Sequence, residues 1–294
     1  HWTYYRWMGR VCAAVRPDFF WEVNHNITSD MGGAVKLAMI HDFYTLYGMQ
    51  RIPLATRAKR RVTVSLTRRH ADIYITPSRV TAEDITRIMR IGPGRISVIP
   101  IGLGTIPDSG ERRPADLPEG GFIFNIGRQC HWKGSDLLLK AAGSSAFPRG
   151  VNLVLAGRPE REFEPTLNAA AKRGGNIVYL GQINDAEREY LFRHAKLFVY
   201  PTRFDGFGMP PLEAAQRGCP SLVSDIPIMR EVTAGNALFF DLESGADGLA
   251  RAIADNIDKP HDRLVSESLS HVRQYNWDNF AASLSAVLLS RHAE

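Results

Sequence analysis

Phe204-Asp205-Gly206-Phe207-Gly208-Met209-Pro210-Pro211-Leu212-Glu213 is the stretch whose reading decides the fold. The apolar run Leu197-Phe198-Val199-Tyr200, closed by Pro201, leads into it, and Leu212-Glu213-Ala214-Ala215-Gln216 leaves it with helical character. A buried parallel strand that feeds a glycine-bearing loop and then a helix start is the layout in which backbone N–H groups and the helix dipole hold phosphate oxygens. Asp205 and Glu213 flank the loop. A carboxylate beside a phosphate repels it unless it has separate work, such as accepting hydrogen bonds from sugar or ribose hydroxyls. Phosphate and hydroxyls together point to a nucleotide sugar. The competing reading is a plain strand-to-helix turn in which the glycines serve backbone geometry and Glu213 is a first-turn charge.

Outward from this stretch the same alternation repeats. In the second half, strands are expected at residues 122–126, 152–156, 176–180, 197–200 and 221–224, with helices at 136–142, 165–173, 185–194, from Leu212 onward and at 248–257. Residues 242–247 read as a turn with Ser244 available as a cap. Together these make a doubly wound α/β domain. Residues 104–121 carry three prolines, four glycines and no apolar periodicity, the mark of a linker. Before it come a helix at 1–15, a strand at 19–23, a polar loop at 24–33 and a strand at 35–40 that runs into His41-Asp42. A basic helix at 55–70, a strand at 71–75, a helix at 81–90 and a strand at 96–99 follow. In the helix at 81–90 Thr81 is placed as N-cap and Asp84 at the capping-box position. The expected organisation is α/β, with an N-terminal Rossmann-like domain at residues 1–108, a C-terminal one at 109–275 and a final helix at 276–294 that packs back on the first. The first domain opens in a helix rather than a strand and glycine-rich turn, so it is expected to lack its first strands.

Composition narrows the class. Hydrophobic residues make up 44% and charged residues 23% of the 294, the proportions of a globular protein, and no apolar run is long enough to span a bilayer. A cytoplasmic home follows. Cys12, Cys130 and Cys219 are odd in number and far apart, which argues against a disulfide framework or a zinc site. The net charge of +5 is uneven: residues 1–110 hold 15 Lys and Arg against 8 Asp and Glu. Much of that excess lies between Arg51 and Arg69, including Arg57, Lys59, Arg60, Arg61 and Arg68 with no acid among them. Such a segment is most commonly the solvated face of a helix; as a patch it could bind nucleic acid or the anionic inner face of a membrane. Nucleic acid is not expected as a partner.

With these segments placed, the chain resembles the retaining glycosyltransferases of the GT-B fold, in particular glycosyltransferase family 4 (glycosyl transferases group 1). Phe124-Asn125-Ile126-Gly127-Arg128 followed by Lys133-Gly134 is similar to that family's strand, Gly-Arg and downstream Lys. Residues 153–157 resemble its next strand and turn, and Val178-Tyr179-Leu180-Gly181 the segment that borders the nucleotide base. Asp205 and Glu213 match its pair of acids separated by seven residues, with Asp205 where Glu is usual. Residues 218–225 and 227–231 continue the pattern in order, and Ile40-His41-Asp42 resembles its strand-end His-Asp facing the interdomain cleft.

The resemblance implies two Rossmann-like domains facing a cleft and transfer of a hexose from a nucleotide-diphosphate sugar, GDP-mannose or a UDP-hexose, to a glycan or lipid-linked acceptor in surface polysaccharide or lipopolysaccharide synthesis. Arg128 and Lys133 would neutralise the leaving diphosphate, Asp205 and His41 would contact the transferred sugar, and Glu213 would accept from the ribose hydroxyls. Gly127, Gly181, Gly206, Phe207, Gly208, Met209 and Leu212 would complete the donor site, largely through main-chain groups. No Asp-x-Asp is present and the positive charge comes from side chains, so neither a metal nor another cofactor is expected. Two alternatives stand beside this: a nucleotide-sugar binding module without catalysis, and a GT-B nucleotide-sugar epimerase.

Overall fold

The computed structural model describes residues 2–23, 27, 29–43, 54–105 and 110–292. Arg51 of the basic segment, residues 24–26 and 28 of the polar loop, and residues 106–109 of the linker lie outside that description. Two compact units are formed, His1–Gly102 with Trp277–Glu294, and Leu103–Asn276.

The first unit contains α1 (Trp2–Val15), β1 (Phe19–Glu22), β2 (Val35–Met39), α2 (Leu54–His70), β3 (Ile73–Thr76), α3 (Arg79–Asp84) and β4 (Ile96–Val98). Its four strands are parallel in the order β1-β2-β3-β4. Side chains alternate along a strand, so Leu37, Met39, Ile73 and Ile75 fall on one face while Ala38 and Tyr74 fall on the other, against Ile85 and Met89. Both faces are buried, as a parallel sheet requires. The cap of α3 differs from expectation. Ser78, in extended backbone at φ −142°, accepts from the Thr81 amide at 3.1 Å, which makes Thr81 the third helical residue and Asp84 the last. Two hydroxyls three residues apart both suit an N-cap, and the extended conformation at Ser78 selects between them.

The second unit contains β5 (Gly121–Ile126), α4 (Ser135–Ala142), β6 (Val151–Ala156), α5 (Glu164–Lys172), β7 (Ile177–Tyr179), α6 (Asp185–His194), β8 (Leu197–Tyr200), α7 (Met209–Gln216), β9 (Ser221–Ser224), α8 (Pro227–Thr233), β10 (Leu238–Phe240), α9 (Gly245–Asn256) and α10 (Asp262–Val272). Its six parallel strands run β10-β9-β8-β5-β6-β7, so the winding reverses between β5 and β8. In an open α/β sheet the crevice beyond the carboxyl ends of two such strands is where ligands bind. One sheet face packs Ile123, Leu153, Leu155, Leu197, Val199 and Leu222 against α4 and α9. The other stacks Phe124 and Phe198 around Phe192 of α6, with ring centroids 5.2 to 6.0 Å apart.

Three elements of this unit have no counterpart in the sequence reading: α8, β10 and α10. α7 starts at Met209, three residues before Leu212, because prolines are tolerated in a first helical turn, where the N–H has no intrahelical partner. Ser244 does not cap by its side chain; its hydroxyl donates to the Asp241 carbonyl, and Asp241 itself caps the short turn by accepting from the Glu243 amide at 2.9 Å. The last helix, α11 (Trp277–His292), belongs to the first unit, where Phe280 is buried with Leu37 and Met39 and stacks on Trp21 at 6.1 Å.

Candidate functional site

The loop after β5 is held from below by buried amides. Gln129, wholly buried, donates from Nε2 to the Ala156 carbonyl at 2.7 Å and to Asn125 Oδ1 at 3.1 Å, and its Oε1 accepts from the Ser135 hydroxyl at 2.9 Å. Ser135 in turn accepts from the Cys130 amide at 3.0 Å, and Asn125 donates to the Val199 carbonyl at 2.8 Å. An unsatisfied buried amide costs about 1–3 kcal/mol, so this closed set fixes the loop against β5, β6 and β8 at once. Gly134 sits at φ +78°, and a Cβ there would lie 2.0 Å from the Pro201 carbonyl oxygen. The loops that leave β5 and β8 therefore touch through bare backbone. Arg203 ties them further, its amide donating to the Trp132 carbonyl at 2.9 Å and its guanidinium forking onto Asp136 at 2.8 and 3.1 Å.

Lys133 and Asp205 meet at this junction. Lys133 Nζ stands 2.5 Å from Asp205 Oδ2 and 2.9 Å from the Tyr200 hydroxyl, which donates to the same Oδ2 at 2.7 Å. Asp205 Oδ1 accepts from the Gly206 amide at 2.9 Å and from Phe207 at 3.5 Å. Both charged side chains are only 15% exposed, so the pair is screened weakly by solvent. Burial and the Asp205 carboxylate push the Tyr200 phenol well above its ordinary value, which leaves it a proton donor throughout the physiological range. Lys133 also lies 4.5 Å from the centre of the Trp132 ring.

Arg128 shares the loop but not the cluster. It is half exposed, with Nη1 3.8 Å from Glu160 Oε1, an oxygen that also accepts from Trp132 Nε1 at 3.4 Å. Gly127 donates to the Ala156 carbonyl at 3.2 Å, and the Gly181 carbonyl accepts from Gly157 at 2.7 Å beside the end of β7. The loop before α7 offers fewer anion donors than its glycines imply. The Gly206 and Phe207 amides face Asp205, and Pro210 and Pro211 have no N–H, which leaves Gly208 and Met209 for a ligand. Phe207 is buried edge-on to Tyr275 at 5.6 Å, and Leu212 is core, so neither side chain is offered to a ligand.

Glu213, in the second turn of α7, is mostly buried. Burial raises its pKa above the carboxylate norm, while Arg188 and Arg217 oppose the rise. Arg217 is itself anchored, 2.7 Å from the buried carboxylate of Glu189, and it donates to the Glu213 carbonyl at 3.0 Å. His41, two residues past β2 in the other unit, has Nε2 3.0 Å from the Val23 carbonyl. A carbonyl can only accept, so Nε2 carries a proton.

Cys130 is buried under the loop with its thiol pushed up to about 11, which removes it as a nucleophile. Among the described residues no three His, Cys, Asp or Glu side chains gather as metal ligands would. What this site offers is fixed positive charge beside oriented carboxylates. Tyr200, Asn125, Gln129 and Arg203 were not singled out by sequence. The one available signal was a phenol closing an otherwise aliphatic and Phe-rich strand.

Residues 111–276 match the family described as "Glycosyl transferases group 1". O-antigen chain mannosyltransferase B of Escherichia coli is 32% identical over 109 residues, 36% of this chain and 28% of that protein. Lipopolysaccharide core biosynthesis mannosyltransferase LpcC of Rhizobium leguminosarum bv. viciae is 31% identical over 183 residues, 58% of this chain and 51% of that protein. The chain thus spans about half or less of the length of these curated relatives. Among solved structures, Anabaena Alr3699/HepE in complex with UDP and glucose aligns with a TM-score of 0.75 at 16% identity, over 98% of this chain and 81% of that one. An α,α-trehalose-phosphate synthase (UDP-forming) from Burkholderia vietnamiensis aligns with a TM-score of 0.75 at 17% identity, over 98% and 75%. These likenesses identify the fold as GT-B, built of Rossmann-like parallel-sheet units.

Proposed function

The chain belongs to the glycosyl transferases group 1 family, and from that membership we propose that it is a retaining, family 4-type hexosyltransferase that takes its sugar from a nucleoside-diphosphate donor. The observation that carries this reading is the contact between Lys133 and Asp205 across the loops of β5 and β8, where the strand order reverses. Breaking the bond from an anomeric carbon to a diphosphate builds negative charge on the leaving phosphate and positive charge on the ring. Lys133 and Arg128 answer the first and Asp205 orients the sugar that carries the second. Glu213 accepts from the ribose hydroxyls, and Gly181 borders the base. The acceptor proton goes to the departing phosphate in a front-face transfer.

Mannose is the proposed sugar and GDP the proposed carrier, because the named relatives are O-antigen and lipopolysaccharide-core mannosyltransferases. A UDP-hexose is the second donor, since UDP and glucose occupy the Anabaena structure. The acceptor is a lipid-linked or growing surface glycan. Work at the cytoplasmic face of the membrane suits that acceptor, with the exposed Lys59, Arg61, Arg68 and Arg69 of α2 toward anionic lipid. No described helix is long and apolar enough to cross a bilayer.

Thermal stabilisation by a panel of nucleotide sugars, followed by transfer from the best of them, tests the reading. A shift with GDP-mannose or a UDP-hexose supports it, since a ligand at 100 times its Kd adds about 2.7 kcal/mol of stability. No shift with any nucleotide would overturn it. Chelation should leave transfer unchanged, because side chains supply the charge that a divalent ion supplies elsewhere; loss of activity with EDTA, restored by Mg²⁺ or Mn²⁺, would refute metal independence.

Glu213→Gln has a two-sided expected outcome. A raised carboxyl pKa means that ionising Glu213 opposes folding: the opposition is absent below the unfolded-state value and complete above the folded-state value. The glutamine variant should therefore melt higher than the parent at neutral pH and lose that advantage as pH falls through the carboxylate range. Its affinity for the free nucleoside diphosphate should drop about tenfold, the worth of a charge-assisted hydrogen bond. Unchanged affinity in calorimetry would remove Glu213 from the ribose.

A further inference from the structure

We propose that Tyr200 is a positioning residue of the donor site, holding the Asp205 carboxylate in place while Lys133 exchanges that carboxylate for the donor's diphosphate. This rests on the function proposed above and extends it to a residue that reaches the sugar only through Asp205. Asp205 has two donors on each oxygen: Lys133 and Tyr200 on Oδ2, Gly206 and Phe207 on Oδ1. A carboxylate offers about four acceptor directions, so in this arrangement none is left for a sugar hydroxyl. One donor has to leave before Asp205 can take one.

Lys133 is the donor able to leave. Its ammonium ends a flexible stem, and a diphosphate carries more charge than one carboxylate, so the diphosphate competes for it directly. The other three donors are fixed. Gly206 and Phe207 are main-chain groups, and Tyr200 closes β8 with its ring 2% exposed and stacked on Phe198 at 6.0 Å. When Lys133 turns to phosphate, Oδ2 gains a free lone pair pointing where the ammonium was. The phenol, 2.7 Å away and always protonated, keeps the carboxylate from rotating to follow. Arrival of the diphosphate thus uncovers the sugar-binding oxygen, and Tyr200 decides where that oxygen points.

The test compares the full chain with Tyr200→Phe for binding of GDP and GDP-mannose, and of UDP and UDP-glucose, by calorimetry. The parent should bind one of these pairs; binding of none would overturn the proposed function and this inference together. For the pair that binds, Tyr200→Phe should keep nucleoside-diphosphate affinity within about threefold while lowering the ratio of sugar-nucleotide to nucleoside-diphosphate affinity about tenfold. An unchanged ratio in a folded variant would overturn the inference and leave the function standing. Should loss of the phenol alone prevent folding, Tyr200→Phe combined with Asp205→Asn removes the carboxylate that needed it. That double variant should match Asp205→Asn in the same ratio, because Tyr200 acts through Asp205. A further tenfold fall would show that the phenol works independently and refute the proposal.

Discussion

Lys133→Ala together with Arg128→Ala is expected to lower kcat/KM for the donor by about 10³-fold or more, the scale seen when preorganised charge opposite a leaving oxyanion is removed. The two replacements should not contribute alike. Arg128 is half exposed and its guanidinium is 3.8 Å from Glu160, so its loss costs little in stability. Removing Lys133 strands the Asp205 carboxylate, 15% exposed, with only neutral donors. Breaking one partner of a fully buried pair costs about 3–5 kcal/mol, so for this partly buried one Lys133→Ala should still melt below the parent. Activity loss by itself would then be ambiguous. Adding Asp205→Asn separates the effects: it should restore melting, while affinity for the free nucleoside diphosphate stays at least about tenfold below that of Asp205→Asn alone. Affinity that returns along with the melting temperature would make Lys133 a structural residue and nothing more.

Gly134→Ala should damage the second unit strongly for a single added methyl. The residue is held at φ +78°, and the new Cβ would stand 2.0 Å from the Pro201 carbonyl oxygen, a backbone atom with no side-chain freedom to give way. Left-handed strain alone costs about 1–3 kcal/mol, and parting the β5 and β8 loops should bring the total to about 4 kcal/mol, read from urea midpoints at unchanged m. Gly174→Ala is the control, since φ there is +70° with nothing within 4 Å of the added carbon, so it should show the strain without the clash. Activity of Gly134→Ala should fall even where the protein remains folded, because the methyl separates Lys133 from Asp205. Equal destabilisation by the two alanines would mean that the backbone contact has no weight of its own.

Much of this was legible beforehand, for physical reasons that can be named. Apolar runs such as residues 153–156 and 197–200 have to be buried on both faces, and only a parallel α/β sheet with helices on each side provides that. The spacing of Arg128, Lys133, Asp205 and Glu213 marked the two loops that the structure brings together at the strand-order reversal. What stayed hidden was local and polar. β10 is only three residues long, and α8 opens on a proline that reads as a turn. Pairing of Lys133 with Asp205 could not be foreseen from the 71 intervening residues, which set no distance between them. Nothing in the sequence marks the Gln129 and Asn125 amides as enclosed, and the Tyr200 hydroxyl was invisible inside a strand whose remaining residues are Leu, Phe and Val.

The placement of α11 bears on the order in which the molecule is made. Trp277–Glu294 groups with the amino-terminal unit, whereas Leu103–Asn276 is continuous in sequence. During synthesis the continuous unit has all six of its strands once Phe240 has emerged, long before the helix that buries Leu37 and Met39 exists. The amino-terminal unit therefore finishes folding after the continuous one, and a nascent-chain intermediate with a greasy, uncovered sheet face should attract chaperones until α11 has emerged.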